Sequence, residues 1–183
     1  GLAAVLLFVV LPIAAIIAFM LKGEALVDWV VERVPASIET SIGDMVLAQT
    51  RAQSPFITTG PRYDAVQAIA KRLVRPGEPI RVYLADTPEA NAFAAPGGVI
   101  VVQAGLLRAA TDPEQVAGVI AHEIAHVELR HSLRSWVKAA GVRGLALMLV
   151  GDWGVLVDAG TKLAQLKFSR EAEYAADLHA LQR

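Results

Sequence analysis

The sequence contains no cysteine among its 183 residues. Disulfides, thiolate zinc sites and a cysteine nucleophile are therefore excluded, although the redox compartment stays open. An excess of one charge is also lacking, since 17 basic and 18 acidic side chains give a formal net charge of −1. That balance, without a basic block, argues against nucleic acid as a partner. No G-x-x-x-x-G-K-[ST] motif occurs, so we expect the chain to work without ATP.

Hydrophobic residues make up 55% of the chain and are concentrated at its start. The run from Leu2 to Leu21 carries no charge and is long enough to cross a bilayer core of roughly 30 Å as a helix. No A-x-A-like cleavage site follows it, which favours an uncleaved anchor over a signal peptide. A buried core helix is the remaining alternative. We predict a single transmembrane anchor over residues 1–22, with membrane lipid as its partner.

The pattern H-E-x-x-H, with two histidines and a glutamate close together, lies in the stretch "VIAHEIAHVELRH", which runs from Val119 to His131. On a helix of 3.6 residues per turn, His122 and His126 point the same way, one turn apart. Two imidazoles on one face can share a metal ion, and Glu123 can reach a water bound to that ion. The alternative is a chance match made by two core histidines and a surface glutamate.

The helix that carries this motif has clear start signals. Asp112 is a good N-cap and Gln115 is placed to complete a capping box. We expect the helix to run to about Lys138, and its charges argue against a lipid-embedded span. On such a helix His131 would lie about 140° round from His126. We therefore expect His131 beside a metal ligand or on the surface, and not on the metal.

The rest of the chain gives a coarse element order. Residues 23–36 form a short connector, and helices are predicted over 37–50 and 61–75. "IRVYLA" over residues 80–85 alternates like a half-buried strand, and "NAFAAPGGVIVV" is typical of a hairpin or tight bend around Pro96-Gly97-Gly98. Residues 132–168 are too few for two membrane crossings of about 20 residues each. We expect a helical hairpin there, packed on the domain or on the membrane surface.

A catalytic zinc site usually has three protein ligands and one open position. The metzincin spacing would require a histidine where Ser132 stands, which excludes that class. In "FSREAEYAADLHALQR", Glu173 and Asp177 lie four residues apart on one helix face. One of them could bind the metal while the other holds a ligand's free N–H. A solvated acidic helix face is the alternative.

"HEIAHVELRHS", preceded by "NAFAAPGG" and followed by "SREAEYAAD", resembles the zinc metallopeptidase family that includes the CAAX prenyl proteases and the heat-shock protease HtpX. The resemblance covers roughly Asp64 to the C-terminus and is closest to single-anchor quality-control members. It implies one Zn²⁺ per chain, with Glu173 as the third ligand beside His122 and His126. It also implies that Asp177 supports the site and that "NAFAAPGG" lies beside the cleft. We expect an edge strand there to bind substrate through Asn91, Ala92, Phe93 and Ala94.

We therefore predict an α+β fold, a mainly helical zincin-like metalloprotease domain with a small β-sheet or hairpin, over residues 37–183. By the resemblance the domain continues beyond Arg183 and supplies a further histidine for the oxyanion, a position that His179 does not match. The predicted function is a membrane-anchored zinc endopeptidase with Glu123 as catalytic base. Its substrates would be unfolded or membrane-associated polypeptides on the periplasmic side of a bacterial inner membrane. The alternatives are a zinc-stabilised chaperone-like or binding protein without turnover, and a membrane protein with a coincidental motif.

Overall fold

The computed structural model describes residues 23–149 and 168–183. A small sheet is surrounded by helices, so the predicted mainly helical α+β class is confirmed. In chain order the elements are α1, whose described part covers 23–33, α2 (Ala36–Gln53), β1 (Phe56–Ile57), α3 (Pro61–Leu73), β2 (Arg81–Ala85), β3 (Ala92–Ala95), β4 (Val99–Gln103), α4 (Ala104–Ala109), α5 (Pro113–Glu128), α6 (His131–Leu149) and α7 (Arg170–Ala180).

Two predictions concern parts of the chain outside the described residues. The predicted anchor over residues 1–22 is one, and residues 150–167 of the predicted helical hairpin are the other. Within residues 23–149 and 168–183, no helix combines the length and the apolar character that a membrane crossing requires.

The sheet has the strand order β1-β2-β4-β3. β2 and β4 pair in parallel, whereas β1 with β2 and β3 with β4 pair antiparallel. β3 and β4 form the hairpin that the sequence predicts, joined by a short 3₁₀ turn over Pro96–Gly98. Gly98 has φ 81°, and a Cβ there would lie 1.9 Å from the Pro79 carbonyl oxygen. Glycine is therefore needed for both the conformation and the close approach.

β4 separates two hydrophobic cores. Val99 and Val101 face the core under α1, α2 and α6, whereas Ile100 and Val102 face the core under α3 and α5. This alternation follows from the pleat, and an unbroken "VIVV" run is typical of a strand buried on both faces. Residues 23–36, predicted as a connector, contribute four buried valines to the first core: Val27, Val30 and Val31 from α1, and Val34 just after it.

The start of α5 has the predicted N-cap at Asp112, whereas Gln115 bonds to the residue before the cap and so departs from the predicted capping box. The Asp112 carboxylate accepts a hydrogen bond from the Gln115 main-chain N–H at 2.9 Å. Gln115 Oε1 in turn accepts from the main-chain N–H of Thr111, at 2.9 Å, one residue before the cap. Two N–H groups at the helix start are thereby paired, which fixes where the motif helix begins.

The end of α5 differs from the prediction. The helix stops at Glu128, well before Lys138, because Arg130 adopts a left-handed conformation with φ 54°. The Arg130 guanidinium donates to the Val34 carbonyl at 3.4 Å and forms an ion pair with Glu39. At these contacts with the start of α2 the chain leaves the direction of α5, and α6 begins at His131. Helical periodicity alone does not reveal such a tertiary contact.

Arg183 joins α7 to two other parts of the domain. Its side chain is 1% exposed and donates to the Glu78 carboxylate through both terminal nitrogens, at 2.9 and 2.7 Å. It also donates to the Leu73 carbonyl at 2.7 Å and pairs with Glu128 at 2.5 Å. Glu128 contacts His179 Nε2 at 2.7 Å as well. We call these five residues the Arg183 cluster, which holds α7 against the ends of α3 and α5.

The Arg183 cluster gives a prediction for acid stability. The Arg183 hydrogen bonds lower the pKa of Glu78 from 4.5 to about 2, against the opposing effect of burial. A carboxyl with a depressed folded-state pKa stabilises the fold above its unfolded pKa, and this contribution is lost as the pH falls through the folded value. The loss of unfolding free energy on Glu78→Gln should therefore be constant above about pH 5.5 and shrink between about pH 4.5 and 2.

Urea melts of both proteins across this range measure the difference. Acid also protonates the histidines and releases any metal that they bind. The resulting change in unfolding free energy is the same for both proteins and cancels in their difference. An unchanged difference at low and neutral pH would contradict the assignment.

Candidate active site

Three side chains of types that can bind a metal converge from two helices. His122 and His126 lie one turn apart on α5, with their Nε2 atoms 2.9 Å from each other. Glu173 comes from α7, and its Oε2 lies 3.2 Å from His122 Nε2 and 3.6 Å from His126 Nε2. One ligand atom from each residue lies within 4.8 Å of the others. The structure thus brings together the three residues predicted as metal ligands.

The donor set fits a zinc ion. Tetrahedral zinc with bonds of about 2.0–2.2 Å places its nitrogen and oxygen donors roughly 3.3–3.5 Å apart. The observed separations of 2.9, 3.2 and 3.6 Å lie around that value. Burial, followed by the charge of His122, lowers the pKa of His126 to about 3. Its ring is therefore neutral and offers a lone pair, which is the form that binds a metal.

The second nitrogen of each histidine also has a partner. His122 Nδ1 lies 2.9 Å from Asp177 Oδ1, so the carboxylate can accept that N–H and leave Nε2 free. His126 Nδ1 lies 3.0 Å from His131 Nδ1. On one continuous helix His131 would lie about 140° round from His126. The helix breaks at Arg130, and this break brings the His131 ring back to His126. Both residues predicted to support the site therefore contact a predicted ligand.

Glu123 lies next to this group and is only 8% exposed. Burial raises the pKa of its carboxyl to about 7, and the neighbouring charge of Glu173 adds to the increase. His122 and a main-chain hydrogen bond from Ala94 act in the opposite direction. A carboxyl with this pKa exchanges its proton readily at neutral pH, which is the property required of a general acid and base.

A cleft of ≈ 770 Å³ opens over the site, lined by Glu123, the three predicted ligands and the start of β3. β3 is an edge strand of the described sheet. Gln103 N–H donates to the Asn91 carbonyl at 3.0 Å, so Asn91 and Phe93 direct their main-chain groups towards β4. The alternate residues, Ala92 and Ala94, direct theirs away from the sheet.

The two outward-facing residues of β3 differ in what they contact. The Ala94 carbonyl accepts a hydrogen bond from Ser132 Oγ at 2.9 Å, and its main chain also hydrogen-bonds to Glu123. Among the described residues, none bonds to the outward N–H and C=O of Ala92. A bound peptide can therefore pair with Ala92, whereas Ala94 is already engaged with the site itself.

Sequence reasoning missed two residues of the site. Phe168 stacks on the His126 ring, with centroids 4.1 Å apart and planes at 20°, and it lines the cleft. Ser132, which is 5% exposed, links α6 to β3 through the Ala94 carbonyl. Phe168 directly precedes the "SRE" of the α7 motif and Ser132 directly follows His131. Their positions next to the motifs were the only signal in the sequence. Such a position does not show that Phe168 stacks on His126 or that Ser132 bonds to Ala94.

Comparison with known proteins agrees with this geometry. The model of peptidase family M48 matches residues 58–183. The beta-barrel assembly-enhancing protease of Escherichia coli (strain K12) is 30% identical over 164 residues, covering 79% of this chain and 33% of that protein. The protein named protease HtpX homolog from Acidiphilium cryptum (strain JF-5) is 32% identical over 199 residues, covering 91% of this chain and 62% of that protein.

The chain belongs to peptidase family M48. The family resemblance identified from the motifs is thereby confirmed. The chain spans about a third of the length of the beta-barrel assembly-enhancing protease and about three fifths of the HtpX homolog.

The three converging ligands lead to a metal prediction. Purified protein should carry about one zinc per chain, and His126→Ala or Glu173→Ala should each lose most of it, because two remaining ligands hold the ion poorly. Elemental analysis after dialysis measures the content, with Glu171→Ala, an exposed neighbour on α7, as the control. Full zinc retention by Glu173→Ala would move the third ligand elsewhere, with Asp177 as the next candidate.

Proposed function

We propose that this chain is a zinc-dependent endopeptidase that hydrolyses peptide bonds in unfolded or membrane-associated polypeptides. The observation that carries the proposal is a buried carboxyl, Glu123, beside a two-histidine, one-glutamate group that lines an open cleft. The names of the relatives, which describe proteases, support the same activity.

The residues of the site divide the chemistry among them. When bound to His122, His126 and Glu173, the zinc ion would supply a Lewis acid that acidifies water and polarises the scissile carbonyl. Glu123 would accept the proton of the attacking water and deliver it to the leaving amine. Asp177 and His131 would fix the orientation of the two histidine rings through their second nitrogens.

Substrate would bind to β3 by strand addition. An extended peptide can hydrogen-bond to the outward main-chain groups of Ala92, and main-chain pairing accepts many sequences. Asn91 and Phe93 would contact the substrate through their side chains, since both line the cleft. The main chain of Ala94 already bonds to Glu123 and Ser132, so in this proposal Ala94 also holds the catalytic carboxyl. A substitution at Ala94 would therefore disturb the catalytic carboxyl together with substrate binding.

A zinc-stabilised binding protein without turnover is the competing function. Burial of Glu123 speaks against it, because a buried carboxyl is costly and a structural zinc site requires no proton acceptor. The same residue supplies the experiment that separates the two functions.

Glu123→Gln keeps the side-chain size and removes the base. We expect zinc content and thermal stability to stay near wild type while peptide hydrolysis falls by at least ~10²-fold, the scale of general-base catalysis. Hydrolysis of an unfolded protein such as casein, measured at saturating zinc, gives the rate. Glu114→Gln, on the exposed first turn of the same helix, is the matched control. Equal rates for Glu123→Gln and wild type would exclude Glu123 as the base.

Ala92→Pro tests strand addition. Proline removes the outward N–H and is tolerated at the start of an edge strand. We expect KM for an extended peptide to rise about tenfold, with zinc content and melting temperature close to wild type. Ala92→Gly keeps the N–H and should leave KM almost unchanged. A large loss of stability with normal KM in the folded fraction would place the substrate elsewhere.

We further propose that residues 1–22 anchor the protein in a bacterial inner membrane, with the peptidase domain on the periplasmic side. The uncharged run from Leu2 to Leu21 supports the anchor, and the relatives described above are bacterial. The full chain should stay in the membrane fraction after alkaline carbonate extraction and be degraded by protease added to spheroplasts. Extraction into the supernatant would refute the anchor, and protection in spheroplasts would refute the orientation.

A further inference from the structure

Two neighbouring side chains that follow the end of α5 contact the candidate site. His131 Nδ1 lies 3.0 Å from Nδ1 of His126. Ser132 Oγ donates to the Ala94 carbonyl at 2.9 Å, and the main chain of Ala94 also bonds to the Glu123 carboxyl. Both contacts depend on the direction in which the chain leaves α5. Whatever fixes that direction therefore also fixes these two supports of the site.

An arginine occupies the position at which the chain changes direction. Arg130 has φ 54°, and among the described residues other than glycine it is the only one with a positive φ. Helices commonly end with a left-handed residue, which is usually glycine because a Cβ is unfavourable there. The unfavourable conformation of Arg130 has to be offset by other contacts. Those of its side chain are the contacts that a glycine would lack.

The Arg130 guanidinium contacts the segment that joins α1 to α2. It donates to the Val34 carbonyl at 3.4 Å and forms an ion pair with Glu39 in the first turn of α2. The side chains of this pair are partly shielded from water, since 31% of Arg130 and 18% of Glu39 is exposed. Shielded charges are screened less than surface charges. We call residues 34–39 the α1–α2 corner.

The α1–α2 corner also packs against the turn that follows β3. A Cβ on Gly97 would lie 2.6 Å from the Glu39 carbonyl oxygen. One turn further along α2, a Cβ on Gly43 would lie 2.2 Å from the Pro96 carbonyl oxygen. Such close approach of two main chains leaves little room for α2 to shift against the hairpin. The start of α2 therefore contacts both the break after α5 and the hairpin that borders the site.

Other ion pairs join α1 to α6, but they are more exposed. Arg134 pairs with Glu24 at 3.0 Å and also with Asp28, and Lys138 pairs with Glu24 at 2.7 Å. The Glu24 side chain is 69% exposed, and exposed ion pairs contribute little stability. The Arg130 contact is better shielded, so it is the one expected to fix the direction of α6.

We propose that the α1–α2 corner positions the candidate active site through Arg130, which is thus a positioning residue. This inference rests on the proposed peptidase function and assigns part of it to the N-terminal helices. The contact directs His131 to Nδ1 of His126, so that this nitrogen keeps its proton and Nε2 is free for zinc. It also directs Ser132 to the same residue of β3 whose main chain holds Glu123.

Two substitutions remove the contact from either side. Arg130→Gly suits the left-handed conformation and removes only the side chain, so the melting temperature should stay near wild type. Glu39→Gln keeps the size of the partner and removes its charge. Loss of a group that orients a metal-binding histidine changes affinity or activity by about 10–100-fold, so we expect each variant to lose about tenfold in zinc affinity and in kcat. KM should stay near wild type, because the outward main-chain groups of Ala92 are unchanged.

Competition with a chromogenic chelator measures zinc affinity, and a fluorogenic unfolded peptide gives kcat and KM. The double variant should lose no more than either single variant, because both changes break the same contact. Arg130→Lys, which keeps the charge, should recover most of the loss. Glu32→Gln removes an exposed carboxylate of α1 that pairs with Arg33 at 4.0 Å, and it should match wild type. Additive losses in the double variant, or an equal loss in Glu32→Gln, would overturn the proposal.

Zinc affinity is measured without turnover and so separates this proposal from the peptidase function. Cleavage by wild type, with unchanged zinc affinity and kcat in Arg130→Gly and Glu39→Gln, refutes the positioning role and leaves the peptidase standing. Weaker zinc binding by both variants without cleavage by wild type supports the positioning role and refutes the peptidase. Wild type that neither binds zinc nor cleaves the peptide refutes both.

Discussion

The contact between α5 and α7 is the constraint on which the site depends. α5 by itself supplies two of the predicted metal ligands, His122 and His126, together with the carboxyl of Glu123. A catalytic zinc site usually has three protein ligands, so α5 lacks one. α7 adds Glu173 and Asp177, but it does so only if it lies across the middle of α5. Arg183 fixes that position at the far end of α7, through carboxylates at the end of α5 and after α3. The candidate site residues Glu173 and Asp177 thus lie on α7, and the Arg183 ion pairs lie just after its end.

The sheet performs a different task, since it places an edge strand beside the candidate metal group. β4 is buried on both faces and anchors the hairpin, so the position of β3 is set by two cores together. Ser132 and Glu123 then bond to the main chain of Ala94, one from each side of the helix break at Arg130. The edge strand and the buried Glu123 carboxyl are therefore positioned by the same few bonds.

Local patterns in the sequence predicted the local features of the fold. The cap at Asp112, the Pro-Gly-Gly turn and the helical spacing of His122 and His126 each depend on residues within a few positions of one another. The end of α5 could not be predicted in this way, because Arg130 leaves the helix where it contacts Glu39, a residue distant in sequence. The same holds for Phe168, whose stacking on His126 depends on how α7 docks. The motifs predicted which residues would bind the metal, and tertiary contacts decide how those side chains are brought together.

The dual use of α7 links metal binding to local unfolding. Ala176 is its fully buried residue, whereas Tyr174, Leu178 and Leu181 are exposed, so packing alone holds this helix weakly. A ligand that binds only the docked form adds free energy to that form in proportion to the logarithm of its concentration above Kd. Zinc bound to the predicted ligands would therefore stabilise the docked form of α7 in a concentration-dependent way. At low zinc the helix would belong to the part of the protein that opens first, and amide exchange in α7 would report how much metal the surroundings supply.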